Sequence, residues 1–112
     1  AMAINVTHYG EVSVLAVAED LTGENVEEFA VKSKKLADES RHDVVVDLTE
    51  AEGIDSKGLE SLLELQAQCE SGLGHIRLCG LNPTCVTILE ITRLARRFEM
   101  YPDLDTAVRS FG

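Results

Sequence analysis

Val44-Val45-Val46-Asp47-Leu48 is a nearly unbroken β-branched run, and six loop residues, Thr49 to Ile54, carry the chain from it to Asp55-Ser56-Lys57-Gly58-Leu59. A run without polar alternation reads as a central parallel strand buried on both faces. From Ser56 a helical period returns. Leu59, Leu62, Leu63, Leu65 and Cys69 span one broad face, and Gly72 and Gly74 end it. A buried strand, a loop and an amphipathic helix predict an α/β architecture. In an open α/β sheet, ligands and partners use the crevice at the carboxyl ends of the strands. The loop after Leu48 delivers Asp55 and Ser56 to that crevice.

Upstream, residues 4–9 and 12–18 alternate as two strands, and Gly10-Glu11 is short enough for a hairpin turn. Val12, Val14, Ala16 and Ala18 fall on one face, Leu15 and Val17 on the other, which predicts a sheet covered on both sides. Asn25 or Thr22 caps a first helix running to about Glu39. Val26, Phe29, Ala30, Ser33, Leu36 and Ala37 form its stripe. Downstream, His75-Ile76-Arg77-Leu78-Cys79 reads as a fourth strand, with His75 and Arg77 at edge or surface positions. Asn82-Pro83 opens a third helix with a cap residue and a proline in the first turn. Its Val86 and Leu89 cannot share one narrow stripe with Ile88, Ile91 and Leu94, which predicts deep packing or, as the alternative, an exposed apolar patch for a partner or self-association. A short strand around Phe98-Glu99-Met100 precedes a last helix with Leu104, Ala107, Val108 and Phe111. The order is β-β-α-β-α-β-α-β-α: an α/β domain over 1–112, with a mostly parallel sheet, an antiparallel N-terminal hairpin and helices packed against it. Ala1-Met2 reads as a remnant ahead of the native start.

Ten basic and twenty acidic residues among 112 give a formal charge of -10. A nucleic-acid-binding domain carries a basic stripe. The nearest approach here is Arg93, Arg96 and Arg97, cations that complement the carboxyl end of a helix. An acidic surface repels polyanions and anionic membranes. That argues against nucleic acid and direct membrane insertion, and for docking onto a basic partner. No apolar run approaches the roughly 18 residues of a membrane span, and no signal peptide is visible, so a cytoplasmic protein is expected. Cys69, Cys79 and Cys85 are odd in number and share no CxxC spacing. They read as reduced, partly buried thiols in a reducing compartment. Nothing implies a cofactor or a metal, and oligomeric state stays open.

Ser56 has two readings. Its hydroxyl can cap the helix by accepting from an N–H two or three residues on. Alternatively, another protein reads or modifies it. Gly58, without a Cβ, lets another backbone approach closely. A helix N-terminus welcomes a phosphoryl group. Yet Glu50, Glu52, Asp55 and Glu60 crowd that end, and about two added negative charges would spoil an acidic docking surface. Lys57 offsets part of that charge. The enzyme reading is weaker. His8, His42 and His75 lie in separate elements without metal-ligand spacing, and there is neither a GxSxG elbow nor a P-loop.

The strand ending Val46-Asp47-Leu48, the six loop residues and Asp55-Ser56-Lys57-Gly58-Leu59 resemble the STAS domain, named for sulfate transporters and anti-sigma factor antagonists. The resemblance extends through Gly72, Gly74, the Ile76-to-Leu78 strand with Gly80, Asn82-Pro83, Phe98 and Ala107. It implies a bacterial anti-sigma factor antagonist, or anti-anti-sigma factor, in a partner-switching pathway. In that family the unphosphorylated protein binds an anti-sigma factor that is also a serine kinase, which frees the sigma factor for transcription. The kinase phosphorylates the serine after the motif aspartate, Ser56 here, and a serine phosphatase resets the switch. The chain would be a kinase substrate, not an enzyme. The partner-binding residues carried over are Asp55, Ser56, Lys57, Gly58 and Leu59, with Glu19, Asp20 and Thr22 from the segment before the first helix. Two departures stand out. Ala18-Glu19-Asp20-Leu21-Thr22 lacks the glycine of the family's Gly-Glu-x-Asp segment and displaces its aspartate, and Lys57 stands where small residues are common. The resemblance also admits a non-switching scaffold or regulatory subunit, in a stress-signalling assembly, beside a transporter, or binding a nucleotide such as GTP.

Overall fold

A computed structural model describes residues 3–112; Ala1 and Met2, read above as a remnant, lie outside the described residues. Its strands are β1 (Ile4–Tyr9), β2 (Val12–Val17), β3 (Asp43–Asp47), β4 (Ile76–Cys79) and β5 (Glu99–Tyr101). Its helices are α1 (Val26–Asp38), α2 (Ser56–Ser71), α3 (Pro83–Ile91) and α4 (Leu104–Arg109), with a 3₁₀ turn at Ala95–Arg97. The predicted element order is the observed one.

Gly10 takes a positive φ of 62° in the two-residue turn, which leaves Tyr9 opposite Val12 and sets the antiparallel register of β1 and β2. The strands stand side by side as β1-β2-β3-β4-β5, and every pairing from β2 onward is parallel. Parallel crossovers are right-handed. Three in succession in one direction therefore put α1, α2 and α3 on a single face. α4 follows the last strand and covers the other face.

Strand alternation feeds the two layers. Leu15, Val17, Val44, Val46 and Leu78 pack against Phe29, Leu36, Leu62, Leu65 and Leu89 on the three-helix side. Val12, Val14, Val45 and Cys79 meet Ala107 on the α4 side, with Leu104, Val108 and Phe111 at its margin. Burying each large aliphatic side chain contributes about 1.5–3 kcal/mol, so the three-helix layer dominates. The end of α2 is closed by a near contact: a Cβ on Gly74 would overlap the His42 carbonyl oxygen.

Several expectations change. Asn25 stands at the cap position of α1, but neither it nor Thr22 caps the helix with its side chain; the Asn25 amide donates to Asp20 O at 2.6 Å instead. Ala18 falls beyond β2 and is exposed. Arg77 is neither at an edge nor on the surface, because β5 pairs outside β4. Its side chain is 13% exposed, lies 3.6 Å from the Glu99 carboxylate and stacks 4.0 Å from the centre of the Phe111 ring. Its apolar stem thus helps to cover the sheet under α4. α3 is not deeply packed: Cys85 and Leu89 are buried, Ile91 is 75% exposed, and Leu94 falls beyond the helix. A helix of nine residues with Cys85 and Leu89 as its buried positions turns only one narrow side inward. Ala30 is exposed rather than part of the α1 stripe.

Candidate functional site

Two loops meet at the carboxyl end of the sheet. The first joins β2 to α1 and the second joins β3 to α2. The second leaves β3 in an ordered path. Asp47 Oδ1 accepts from Thr49 N at 3.0 Å and Thr49 Oγ1 at 2.6 Å, and Leu48 N donates to Cys79 O at 2.9 Å. Ala51 and Ile54 then turn into the core.

Backbone pairing joins the loops. Leu21 and Ile54 form a parallel bridge, with Leu21 N donating to Gly53 O at 3.1 Å and Asp55 N donating to Leu21 O at 3.2 Å. Carboxylates reinforce it in both directions. Asp20 Oδ1 accepts from Glu52 N at 2.8 Å and Gly53 N at 3.1 Å. Asp55 Oδ1 accepts from Gly58 N at 2.8 Å, while its Oδ2 accepts from Gly23 N at 2.9 Å. The segments Glu19–Thr22 and Asp55–Leu59, separate in sequence, therefore form one surface.

Asp55 caps α2 with extended backbone. The capping reading of Ser56 is thereby replaced. Ser56 takes the first helical position, is exposed, and its hydroxyl holds no hydrogen bond among the described residues. Asp55 wins the cap because a carboxylate has two oxygens, one for its own helix and one for the neighbouring loop. The Gly58 N–H, and after it the Gly23 N–H, hold the Asp55 carboxyl below its ordinary value, so the group stays ionised.

Gly58 and Leu59 are buried. A Cβ on Gly58 would overlap the Leu21 carbonyl oxygen and crowd Ile54, so the glycine is what lets the first loop cross α2. Glu19, Asp20 and Lys57 are exposed and Thr22 is half-buried. Glu19, Asp20, Thr22, Glu24, Glu50 and Glu52 line an open concavity of about 400 Å³ between the two loops. Asn82 is more than the cap of α3 that its sequence position predicts. It does accept from Cys85 N at 2.8 Å, and its amide also donates toward Ala51 O at 3.4 Å and Glu52 O at 3.3 Å. Nothing in a single Asn-Pro signal announces that second role.

Histidine is not part of this arrangement. His8 lies opposite Ser13 at the start of β2, His42 precedes β3 and His75 precedes β4. All three thus sit at the amino end of the parallel strands, away from Ser56. All three cysteines are free and fully buried, deeper than expected. Burial first, then nearby carboxylates, pushes the Cys69 and Cys79 thiols up to about 12, so neither is a thiolate near neutrality. Among the described residues no helix is long and apolar enough to cross a membrane.

A family model described as the STAS domain matches residues 3–107. No curated protein sequence matches the chain. Solved structures share its fold at low identity. An anti-sigma-factor antagonist (STAS) domain protein from Planctomyces limnophilus is 24% identical, with 96% of each chain covered and a TM-score of 0.86. An anti-sigma factor antagonist from Mycobacterium paratuberculosis is 22% identical over 96% of this chain and 91% of that one, with a TM-score of 0.85. The Bacillus cell fate determinant SpoIIAA, solved in its phosphorylated form, is 16% identical over 96% of this chain and 99% of that one, with a TM-score of 0.75.

Proposed function

The chain belongs to the STAS domain family, and from that premise we propose that it is an anti-sigma factor antagonist switched by phosphorylation of Ser56. The observation that carries this reading is the uncommitted Ser56 hydroxyl, exposed at the first position of α2 because Asp55 has taken the cap. The existence of a phosphorylated form of the similarly folded SpoIIAA supports it further.

In this reading the unphosphorylated chain docks onto a cytoplasmic anti-sigma factor with serine kinase activity. The exposed contacts are Glu19, Asp20, Asp55, Ser56 and Lys57, with Thr22 half-buried among them, and Gly58 and Leu59 shape them from beneath. Docking displaces the sigma factor and permits transcription. The kinase then brings ATP to Ser56. The Oγ–P bond forms as the bond between the γ-phosphorus and the β,γ-bridging oxygen breaks; ADP leaves, and the hydroxyl proton passes to the kinase's base or to solvent. The phosphoryl group adds about two negative charges next to Asp55, whose loop is tied through the Leu21–Ile54 bridge to the segments that line the acidic concavity of Glu19, Asp20, Glu50 and Glu52. The complementary basic surface then meets an altered, crowded face and lets go. A serine phosphatase restores the hydroxyl by hydrolysis.

The binding test compares two variants by calorimetry against the cognate kinase-type anti-sigma factor. Ser56→Ala is expected to bind like the native chain, and Ser56→Asp at least about tenfold more weakly, a difference of about 1.4 kcal/mol. Equal affinities for the two variants would count against the charge mechanism.

A further inference from the structure

Asp55 holds both the first turn of α2 and the neighbouring loop, through Gly58 N at 2.8 Å and Gly23 N at 2.9 Å. Its neighbour Ser56 is the residue proposed to be modified. We infer that Asp55 is the positioning residue through which phosphorylation reaches the β2–α1 loop: the phosphoryl group displaces the Asp55 carboxylate from the amides it holds and so frees Gly23.

The competition follows from the chemistry of a helix N-terminus. The first N–H groups of a helix lack partners within it. They favour anions, and a phosphoryl group is a stronger claimant than a carboxylate. Placed on the first residue of α2, it contends for the amides of Lys57 and Gly58, the latter held by Asp55. Two like charges on consecutive residues also repel. Asp55 is exposed, so a displaced carboxylate returns to water. Gly23 is exposed as well and then has no carboxylate to hold it.

Lys57 adds to the effect. Its Cδ is the atom closest to where a Cβ on Gly23 would lie, at 3.4 Å, so its stem lies along that turn. An ammonium drawn to the phosphoryl group carries the stem away. The loosened segment is the turn in which Thr22 O accepts from Asn25 N at 2.8 Å and Val26 N at 3.0 Å, leading into α1.

Asp20 behaves differently. It grips Glu52 and Gly53 from the opposite loop and is not adjacent to Ser56 in the chain. The Leu21–Ile54 bridge also remains. Release is therefore local: Gly23 loosens while Glu52 and Gly53 stay held. Phosphorylation would then change part of the docking surface, Thr22 included, that the phosphoryl group itself does not cover.

The experiment installs phosphoserine at position 56 of the full chain during translation, so no kinase is required, and follows amide hydrogen exchange residue by residue. Gly23 is expected to exchange about tenfold faster in the phosphorylated chain, with Glu52 and Gly53 changing less than about twofold. Asp55→Asn has one acceptor oxygen in place of two. In that variant Gly23 is expected to exchange fast in both forms, with phosphorylation adding nothing. Equal Gly23 protection in the two forms of the native chain would overturn the inference. So would equal loosening at Gly23, Glu52 and Gly53, or slow Gly23 exchange in Asp55→Asn. The inference rests on Ser56 being the modified residue. Because the phosphate is installed without a kinase, a negative result at Gly23 removes the Asp55 link alone. Partner binding by the same two forms is measured separately, and its loss or retention decides the proposed function.

Discussion

The N-termini of α2 and α3 begin alike and end up doing different things. Asp55 and Asn82 are both caps with extended backbone, and each accepts from the N–H three residues on at 2.8 Å. The next residue differs. Pro83 fills the first position of α3 with a ring, where its missing N–H would have been unpaired anyway. Ser56 puts a hydroxyl at the first position of α2 and leaves it unengaged. What each cap does with its remaining atoms differs too. The Asp55 carboxylate can only accept and takes the Gly23 N–H, whereas the Asn82 amide donates to the Ala51 and Glu52 carbonyls. The loop before Ser56 is therefore held from both flanks, its N–H groups by Asp20 and its carbonyls by Asn82. The same capping physics yields a structural joint in one helix and a presented hydroxyl in the other.

The two helices differ most at their third position. Cys85 sits there in α3, buried with its Cβ in place. Gly58 sits there in α2, under the Leu21 carbonyl. Gly58→Ala is expected to cost about 3 kcal/mol, because overpacking at a backbone contact cannot relax through a flexible side chain. Urea unfolding measures it, and an unchanged midpoint would mean that the loops do not cross as described.

Removing the caps gives smaller effects and ranks them. Asn82→Ala should cost about 1 kcal/mol. Asp55→Ala should cost more than Asn82→Ala, yet less than Gly58→Ala: each loses a cap and a tie to a neighbouring loop, but the tie lost with Asp55 is a 2.9 Å bond from Gly23 N to a carboxylate, against amide contacts of 3.3 and 3.4 Å lost with Asn82. The two differ in acid as well. The Asp55 carboxyl lies below its ordinary 3.8, chiefly through the Gly58 N–H and then the Gly23 N–H. Its stabilising contribution is therefore present above about pH 3.8 and is lost as pH falls through the depressed value. Asp55→Ala should lose less stability than the native chain between neutrality and that range, and Asn82→Ala should lose as much as the native chain. Unfolding midpoints taken at stepwise lower pH decide it, and parallel curves for all three proteins would contradict the assigned role of Asp55.

The element order and both faces of the sheet were legible because Val44–Leu48 and Val12–Val17 declare burial on two sides by pattern alone. The close approach at Gly58 was legible from a glycine near a helix start. The identity of the cap was not. Asp55 and Ser56 are both good capping residues, and the choice turns on Gly23, which lies 32 residues away from Asp55 in the chain. Arg77 was misplaced for the same kind of reason. The pairing of β5 outside β4 and the Phe111 ring together enclose it, and a three-residue strand leaves a faint trace in sequence. Ile91 reads as core because an apolar residue at helical spacing looks the same whether or not a neighbour covers it.

In the proposed switch, Ser56 is the residue another protein modifies. Incubation of the chain with its cognate serine-kinase-type anti-sigma factor and ATP, followed by site-resolved mass spectrometry, tests it most directly. One phosphate is expected, on Ser56, and none on Ser56→Ala. Phosphate on another residue, or none at all, would contradict it.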